Sequence, residues 1–172
     1  GESVRHLYVF QRTPSSVDVK HNPPTDPQWA ASLPAGWQKH RMRNFNALVS
    51  GIPQVEDLVS DGWTDLIGRL RLVLKQNRGG DRSPAGLARA VELADFEKME
   101  RIRARGDAGV RGKRTADALK PYYRQFCKRP CFHNEYLETF NRPNVTLVDT
   151  AGRGVDRITG DGVEVQGVEY AL

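Results

Sequence analysis

The chain has 172 residues, of which 38% are hydrophobic. This length suits one domain with a real core. Its mean hydropathy is −0.59, and no run reaches the roughly eighteen apolar residues that a membrane helix requires, so a spanning helix is excluded. The net charge of +5 permits nucleic acid, anionic lipid or a phosphate-bearing cofactor without selecting one.

The N-terminal stretch GESVRHLYVF has no signal-peptide core and no initiator Met. The other end, GVEYAL, stops on apolar residues without a cap. Both ends are therefore expected to be interior points of a longer protein. Leu7, Tyr8, Val9 and Phe10 form a short continuous apolar run, the pattern of a buried strand in a parallel sheet. Pro14 ends it, and a polar loop with Pro23, Pro24 and Pro27 follows.

From about residue 25 to 125 the pattern is mostly helical. Thr25 or Asp26 can cap a helix that carries Pro27 in its first turn. The next segment has Trp37, Met42, Phe45, Leu48 and Val49 near helical spacing, with Gly51 as a stop. A third repeats the pattern with Trp63, Leu66, Ile67, Leu70 and Leu74. A fourth opens with Ser83 as N-cap and Pro84, and carries Leu87, Val91, Phe96, Met99 and Ile102. These large apolar residues read as packing between helices. The segment GDAGVRGKRTADALKPYY reads as a mobile loop and then a short helix from Thr115 to Tyr123. Arg105-Gly106-Asp107 spells an integrin-type tripeptide, read as accidental. After Asn144 the period changes. NVTLVDT is a strand, and ITGDGVEVQGVEYAL reads as short strands joined by Asp-Gly and Gln-Gly turns.

The fold class is α/β: a parallel-sheet strand and loop (1–24), a large helical insert (25–125), then a return strand and a small β-meander (126–172). In a nucleotide-binding βαβ unit, the end of the second strand meets the adenosine ribose. A carboxylate there reads the 2′-hydroxyl of NAD, and an Arg accepts the 2′-phosphate of NADP. Gln11-Arg12-Thr13 stands at such a position with no carboxylate. The planar fork of Arg12 can bind phosphate and Thr13 can donate a hydroxyl hydrogen bond, although a cation after a strand is more often simply solvated. Lys128 and Arg129 precede Pro130, so they do not sit in mid-helix. A surface charge pair is the plain reading. With Arg12 they could instead serve a phosphate and a second anion. Cys127, Cys131 and His133 lack a zinc-type spacing and a second cluster, so no metal is expected and the thiols read as buried or inert. Two cysteines suit a reducing, cytoplasmic compartment.

VFQRTP after a strand, NPPTDPQW, AGW with RMRNFNALVSG, DGWTD and KRPCFHNEYLETFNRPNVTLVDT together closely resemble the flavin-dependent Baeyer–Villiger monooxygenases, most of all the cyclohexanone and phenylacetone monooxygenase branch. The resemblance covers nearly the whole chain and is weakest from about Arg78 to Arg114. It implies a flavoprotein with two dinucleotide-binding domains, FAD in one and NADPH in the other, and a helical insert in the NADPH domain. It implies oxidation of ketones by O2 to esters or lactones, without nucleic acid or membrane. On this resemblance Arg12, Thr13 and Lys128 hold the 2′-phosphate of NADPH, and Arg129 is the catalytic arginine that stabilises the anionic peroxide. No GxGxxG, no F-x-G-x3-H-x3-W signature and no ATG segment occurs. Both cofactors are thus expected to be bound largely by missing parts of the parent, and the chain alone to be inactive. Two alternatives stand beside it: another flavin-dependent N- or S-oxygenating monooxygenase, and a basic helical interaction module built on RIRAR and VRGKR.

Overall fold

The structure is a computed structural model and describes residues 2–76, 81 and 83–171. Contacts divide the chain into two compact units: residues up to Asp18 together with those from Met99 onward, and Val19–Lys98.

The first unit is organised by two parallel strands, β1 (Leu7–Gln11) and β4 (Val145–Asp149), in the register Leu7 opposite Val145 through Gln11 opposite Asp149. Strand side chains alternate between faces, and here both faces are covered. Leu7, Val9 and Leu147 join Val110, Ala116, Leu119, Leu137, Phe140 and Val145 in one apolar cluster. Tyr8 and Phe10 join Val148, Val163, Val165 and Tyr170 in another. The first face is closed by the short helices α5 (Lys113–Ala118) and α6 (Tyr136–Thr139). The second is closed by an antiparallel meander of β5 (Arg157–Ile158), β6 (Gly162–Val165) and β7 (Val168–Ala171). Tyr170 stands edge-on to Tyr8 and Phe10, with ring centroids 5.3 and 5.5 Å away. Coverage on both faces is why the strand reads as a continuous apolar run rather than an alternating one. Gln166 and Gly167 both have positive φ, 53° and 76°, as a two-residue hairpin turn requires.

A second parallel pair is shorter: β2 (Val17–Asp18) lies beside β3 (Cys131–Phe132). Cys131 N–H donates to Ser16 O at 2.9 Å and His133 N–H to Asp18 O at 2.9 Å, extending the ladder at both ends. Arg105 clamps this pair. Its guanidinium donates to Val17 O at 2.9 Å, His133 O at 2.8 Å and Asn134 O at 3.2 Å. Asp107 pairs with Lys120. The arginine and aspartate of the Arg-Gly-Asp sequence are therefore both engaged within the fold.

In the second unit, α1 (Pro27–Ser32) is capped by Asp26, whose carboxylate accepts from Gln28 N–H at 2.9 Å, with Pro27 in the first turn. Helix α2 (Trp37–Val49) ends in a Schellman motif: Ile52 N–H reaches Ala47 O, Gly51 N–H reaches Leu48 O, and Gly51 takes φ +76°. Its buried residues are Leu48 and Asn44. Asn44 bonds Glu56 O at 3.0 Å and Leu58 N–H at 3.0 Å, fastening the following loop to the helix. Helix α3 (Asp65–Gln76) is joined to α4 (Pro84–Gly109) by the pair Asp65–Lys98 at 2.7 Å, with the Lys98 side chain only 4% exposed.

Several expectations are corrected. Helix α4 runs on through Gly109, where a mobile loop was expected from Gly106. Glycine costs a helix only about 1 kcal/mol relative to alanine, and burial of Ile102 and Val110 on either side of Gly106 favours continuation. The short helix spans Lys113–Ala118 rather than Thr115–Tyr123, because Pro121 follows closely. In α4 the buried positions are Ala90, Ala94, Asp95, Lys98, Met99, Ile102 and Gly106, whereas Leu87, Val91 and Phe96 are exposed. The expected stripe therefore holds at Met99 and Ile102 and fails at Leu87, Val91 and Phe96, in whose stretch the buried apolar positions are Ala90 and Ala94. Trp29, Met42 and Val49 are likewise exposed. Residues Arg78, Gly79, Gly80 and Arg82, and the side chain of Leu74, lie outside what is described. No described helix is long and apolar enough to cross a membrane.

Candidate functional site

The carboxyl ends of parallel strands are where open α/β sheets bind ligands. At the carboxyl end of β1 the chain is anchored from two sides. The buried Gln11 side chain donates to Ala118 O at 2.8 Å, and Gln11 O accepts from Thr150 N–H at 2.8 Å and Thr150 Oγ1 at 3.0 Å. Thr150 Oγ1 also accepts from Gly154 N–H at 2.9 Å, which folds the loop after β4 back beside Arg12. Gly154 has φ +87°, and a Cβ there would lie 4.0 Å from Arg12 Cδ.

Beyond this anchor lies an open groove of about 240 Å³, lined by Val9, Phe10, Gln11, Arg12, Thr13, Ser15, Lys128 and Tyr136. Residues separated by more than a hundred positions thus share one surface. Two of the eight lining residues are cations, one offers a threonine hydroxyl, and none is a carboxylate. This donor set fits a doubly charged phosphate. Lys128 follows a turn closed by Cys127 N–H to Arg124 O at 3.0 Å, and its ammonium stands over the Tyr123 ring, 5.3 Å from the centroid. The Tyr123 hydroxyl donates to Pro14 O at 2.9 Å and accepts from Ser16 N–H at 2.9 Å. Burial pushes the Tyr123 phenol above its ordinary value, so it remains protonated at neutral pH and able to donate.

No family model matches the chain. The comparisons with individual proteins are decisive. The chain is 61% identical over its entire length to neopentalenolactone D synthase of Streptomyces avermitilis, covering 29% of that protein. It is 53% identical over its entire length to Baeyer-Villiger monooxygenase ATR8 of Stachybotrys chlorohalonatus, covering 28% of it. Among solved structures, the polycyclic ketone monooxygenase of Thermothelomyces thermophila superposes over 99% of the chain with a TM-score of 0.80 and 38% identity, again covering 28% of that protein. The chain belongs to the Baeyer–Villiger monooxygenase family. It spans under a third of the length of the relatives it matches.

Within this Baeyer–Villiger segment, Arg12, Thr13 and Lys128 meet in the groove, while Arg129 is exposed and is not among its lining residues. Cys127 and Cys131 are free and exposed, so of the two readings, buried or inert, burial does not hold: they flank the surface turn at Lys128-Arg129-Pro130. No group of three metal-ligating side chains occurs among the described residues. The basic clusters read as a possible interaction module are partly spent internally. Arg103 bonds Pro121 O at 2.7 Å and Glu100 at 2.7 Å, Arg105 holds its three carbonyls, and Lys113 pairs with Asp117 at 3.1 Å. Sequence reasoning missed Tyr123 and Tyr136. Neither belongs to a periodic pattern, and the only signal is their closeness to the Lys128-Arg129-Pro130 turn.

Proposed function

We propose that the full protein containing this segment is an NADPH- and O2-dependent flavin monooxygenase that converts ketones to esters or lactones. The observation that carries the reading is the convergence of Arg12, Thr13 and Lys128 on one carboxylate-free groove at the end of a parallel strand. An NAD-dependent site would carry an acidic residue at that strand end. When bound, NADPH supplies two electrons and FAD the chemistry with O2; one oxygen atom enters the product and the other leaves as water.

The roles of the chain's own residues follow from their chemistry. The Arg12 guanidinium binds two phosphate oxygens as a planar fork, Thr13 donates its hydroxyl, and the Lys128 ammonium supplies a third contact. Arg129 is assigned to the reacting centre. Its guanidinium would stabilise negative charge that develops on oxygen during the transfer, a type of interaction typically worth about 3–4 kcal/mol. Residues 25–125 serve as the helical insert of the NADPH domain, between 1–24 and 126–172.

The test uses the full protein with a panel of ketones, following NADPH consumption and the mass of the product. A ketone-dependent product heavier by one oxygen atom is expected. Arg129→Ala should retain binding of adenosine 2′,5′-bisphosphate and lose ester formation. Normal ester formation by Arg129→Ala would remove Arg129 from the reaction. Absence of any oxygenated product from the parent would remove the activity itself.

A further inference from the structure

We propose that Tyr123 is the positioning residue of the 2′-phosphate site: one side chain that sets both the loop behind Thr13 and the ammonium of Lys128. The proposal rests on the NADPH reading above and adds to it a residue that touches no phosphate.

Two halves of the groove come from distant parts of the chain, and something must hold them in register. Arg12 and Thr13 are followed at once by Pro14, Ser15 and Ser16. Tyr123 Oη bonds both ends of that three-residue arc, donating to Pro14 O and accepting from Ser16 N–H, each at 2.9 Å. One hydroxyl therefore fixes the backbone on which Thr13 sits. The face of the same ring lies under the Lys128 ammonium at 5.3 Å, within the range of a cation–π attraction. A lysine side chain is a flexible four-carbon stem that loses rotamer freedom when it clasps an anion. Resting on a ring that is itself anchored, the ammonium has part of that freedom removed beforehand. Preorganisation of this kind strengthens binding without a new ligand contact. The remaining oxygen nearby, Ser16 Oγ, is buried without a partner, so Ser16 is held by its backbone, not its side chain. Cys131 N–H also holds Ser16 O at 2.9 Å, but the Tyr123 hydroxyl is what ties the Pro14 end of the arc to its Ser16 end.

The experiment compares full-length holoenzyme with Tyr123→Phe, Tyr123→Leu, Lys128→Ala and the Tyr123→Phe and Tyr123→Leu substitutions in the Lys128→Ala background. Calorimetry reads affinity for adenosine 2′,5′-bisphosphate and for 5′-AMP, which lacks the 2′-phosphate; kinetics read KM for NADPH separately from kcat. Tyr123→Phe keeps the ring and loses the hydroxyl, and should weaken the bisphosphate about two- to tenfold, the range of one net hydrogen bond. Tyr123→Leu should add about two- to fivefold more by removing the ring from under the ammonium. Binding of 5′-AMP and kcat should stay unchanged while KM for NADPH rises. In the Lys128→Ala background the step from Phe to Leu should cost nothing further. Unchanged bisphosphate affinity in the Tyr123 variants, with Lys128→Ala weakened, overturns the positioning role and leaves the phosphate site standing. No effect of Lys128→Ala overturns the site reading itself. Equal losses for bisphosphate and 5′-AMP make Tyr123 a general fold residue and also overturn the proposal. Tyr123→Phe preserves volume and carries the test if Tyr123→Leu fails to fold.

Discussion

Lys128→Ala tests the cofactor assignment with a number attached. The substitution deletes one of the two cations lining a groove that holds no carboxylate. A hydrogen bond to a charged group is worth roughly 1.5–3 kcal/mol. Lys128 is exposed, so water and salt screen it and the low end applies, which is about a tenfold loss of NADPH affinity. NADH lacks the 2′-phosphate and should bind the variant as it binds the parent. The ratio of kcat/KM for NADPH over NADH should therefore fall about tenfold, almost entirely through KM for NADPH. Raising ionic strength should narrow the gap between parent and variant, because the screening length shrinks from about 8 Å at 0.15 M to about 3 Å at 1 M. Arg12→Ala should act in the same direction. The double variant should lose less than the product of the two single losses, since both cations face one groove. Steady-state rates with both coenzymes at two salt concentrations decide the matter. Equal losses for NADPH and NADH, or a loss insensitive to salt, would refute the assignment of Lys128 to the phosphate.

The remaining predictions concern stability. Arg105→Met removes three hydrogen bonds to Val17 O, His133 O and Asn134 O and should lower unfolding free energy by about 2–4 kcal/mol, read from the urea midpoint; Arg105→Lys, without the planar fork, should recover less than half. Asp65→Asn replaces the carboxylate that the largely buried Lys98 ammonium bonds at 2.7 Å with a neutral amide and should cost about 1–3 kcal/mol, read from the urea midpoint; an unchanged midpoint would remove this pair from the stability of the fold. Gly162→Ala should destabilise the meander severely, since its Cβ would run into the Tyr170 carbonyl; a thermal midpoint within a degree or so of the parent would contradict that. The Asp117 carboxyl is held below its ordinary value by its hydrogen bonds to Lys120 and then Lys113, so its contribution is complete above the ordinary carboxylate range and is lost as pH falls through the lowered folded value. Asp117→Asn should lower stability slightly at neutral pH, where the contribution is present, leave strongly acid pH unchanged, and so flatten that limb of the stability curve.

The fold was legible where the chain obeys local rules. Leu7–Phe10 and NVTLVDT form the parallel pair because both faces are covered, and continuous apolar runs signal that arrangement. The Gln166-Gly167 hairpin and the Asp26–Pro27 helix start follow from backbone and capping chemistry. Contacts set by tertiary structure were less legible. Large apolar residues in α4 advertise a buried stripe from Leu87 to Ile102, yet only Met99 and Ile102 of that stripe are buried, and earlier in the helix the buried apolar positions are Ala90 and Ala94. A glycine-rich stretch reads as a loop when only propensity is available. It remained helical because Ile102, Gly106 and Val110 lie four residues apart and are all buried.

The candidate site divides in the same way. Arg12, Thr13 and Lys128 are proposed from the sequence because phosphate chemistry restricts the residue types and the strand end restricts the position, and the structure brings the three to one groove. Their supports could not be proposed that way. Tyr123 reaches Pro14 and Ser16 across more than a hundred residues, and Arg105 reaches Val17 across 88. A tyrosine or arginine that works through backbone carbonyls leaves no spacing rule behind, since any nearby carbonyl serves. On the proposed reading, these supports decide whether Arg12, Thr13 and Lys128 are preorganised for phosphate. Arg105 holds the β2–β3 pair that follows the Lys128 turn on one side and the Thr13 arc on the other. Tyr123 holds the arc and the ammonium themselves. Loss of Arg105 should therefore loosen both halves together and weaken every ligand of the groove along with stability, whereas loss of the Tyr123 hydroxyl should weaken only ligands that carry the 2′-phosphate.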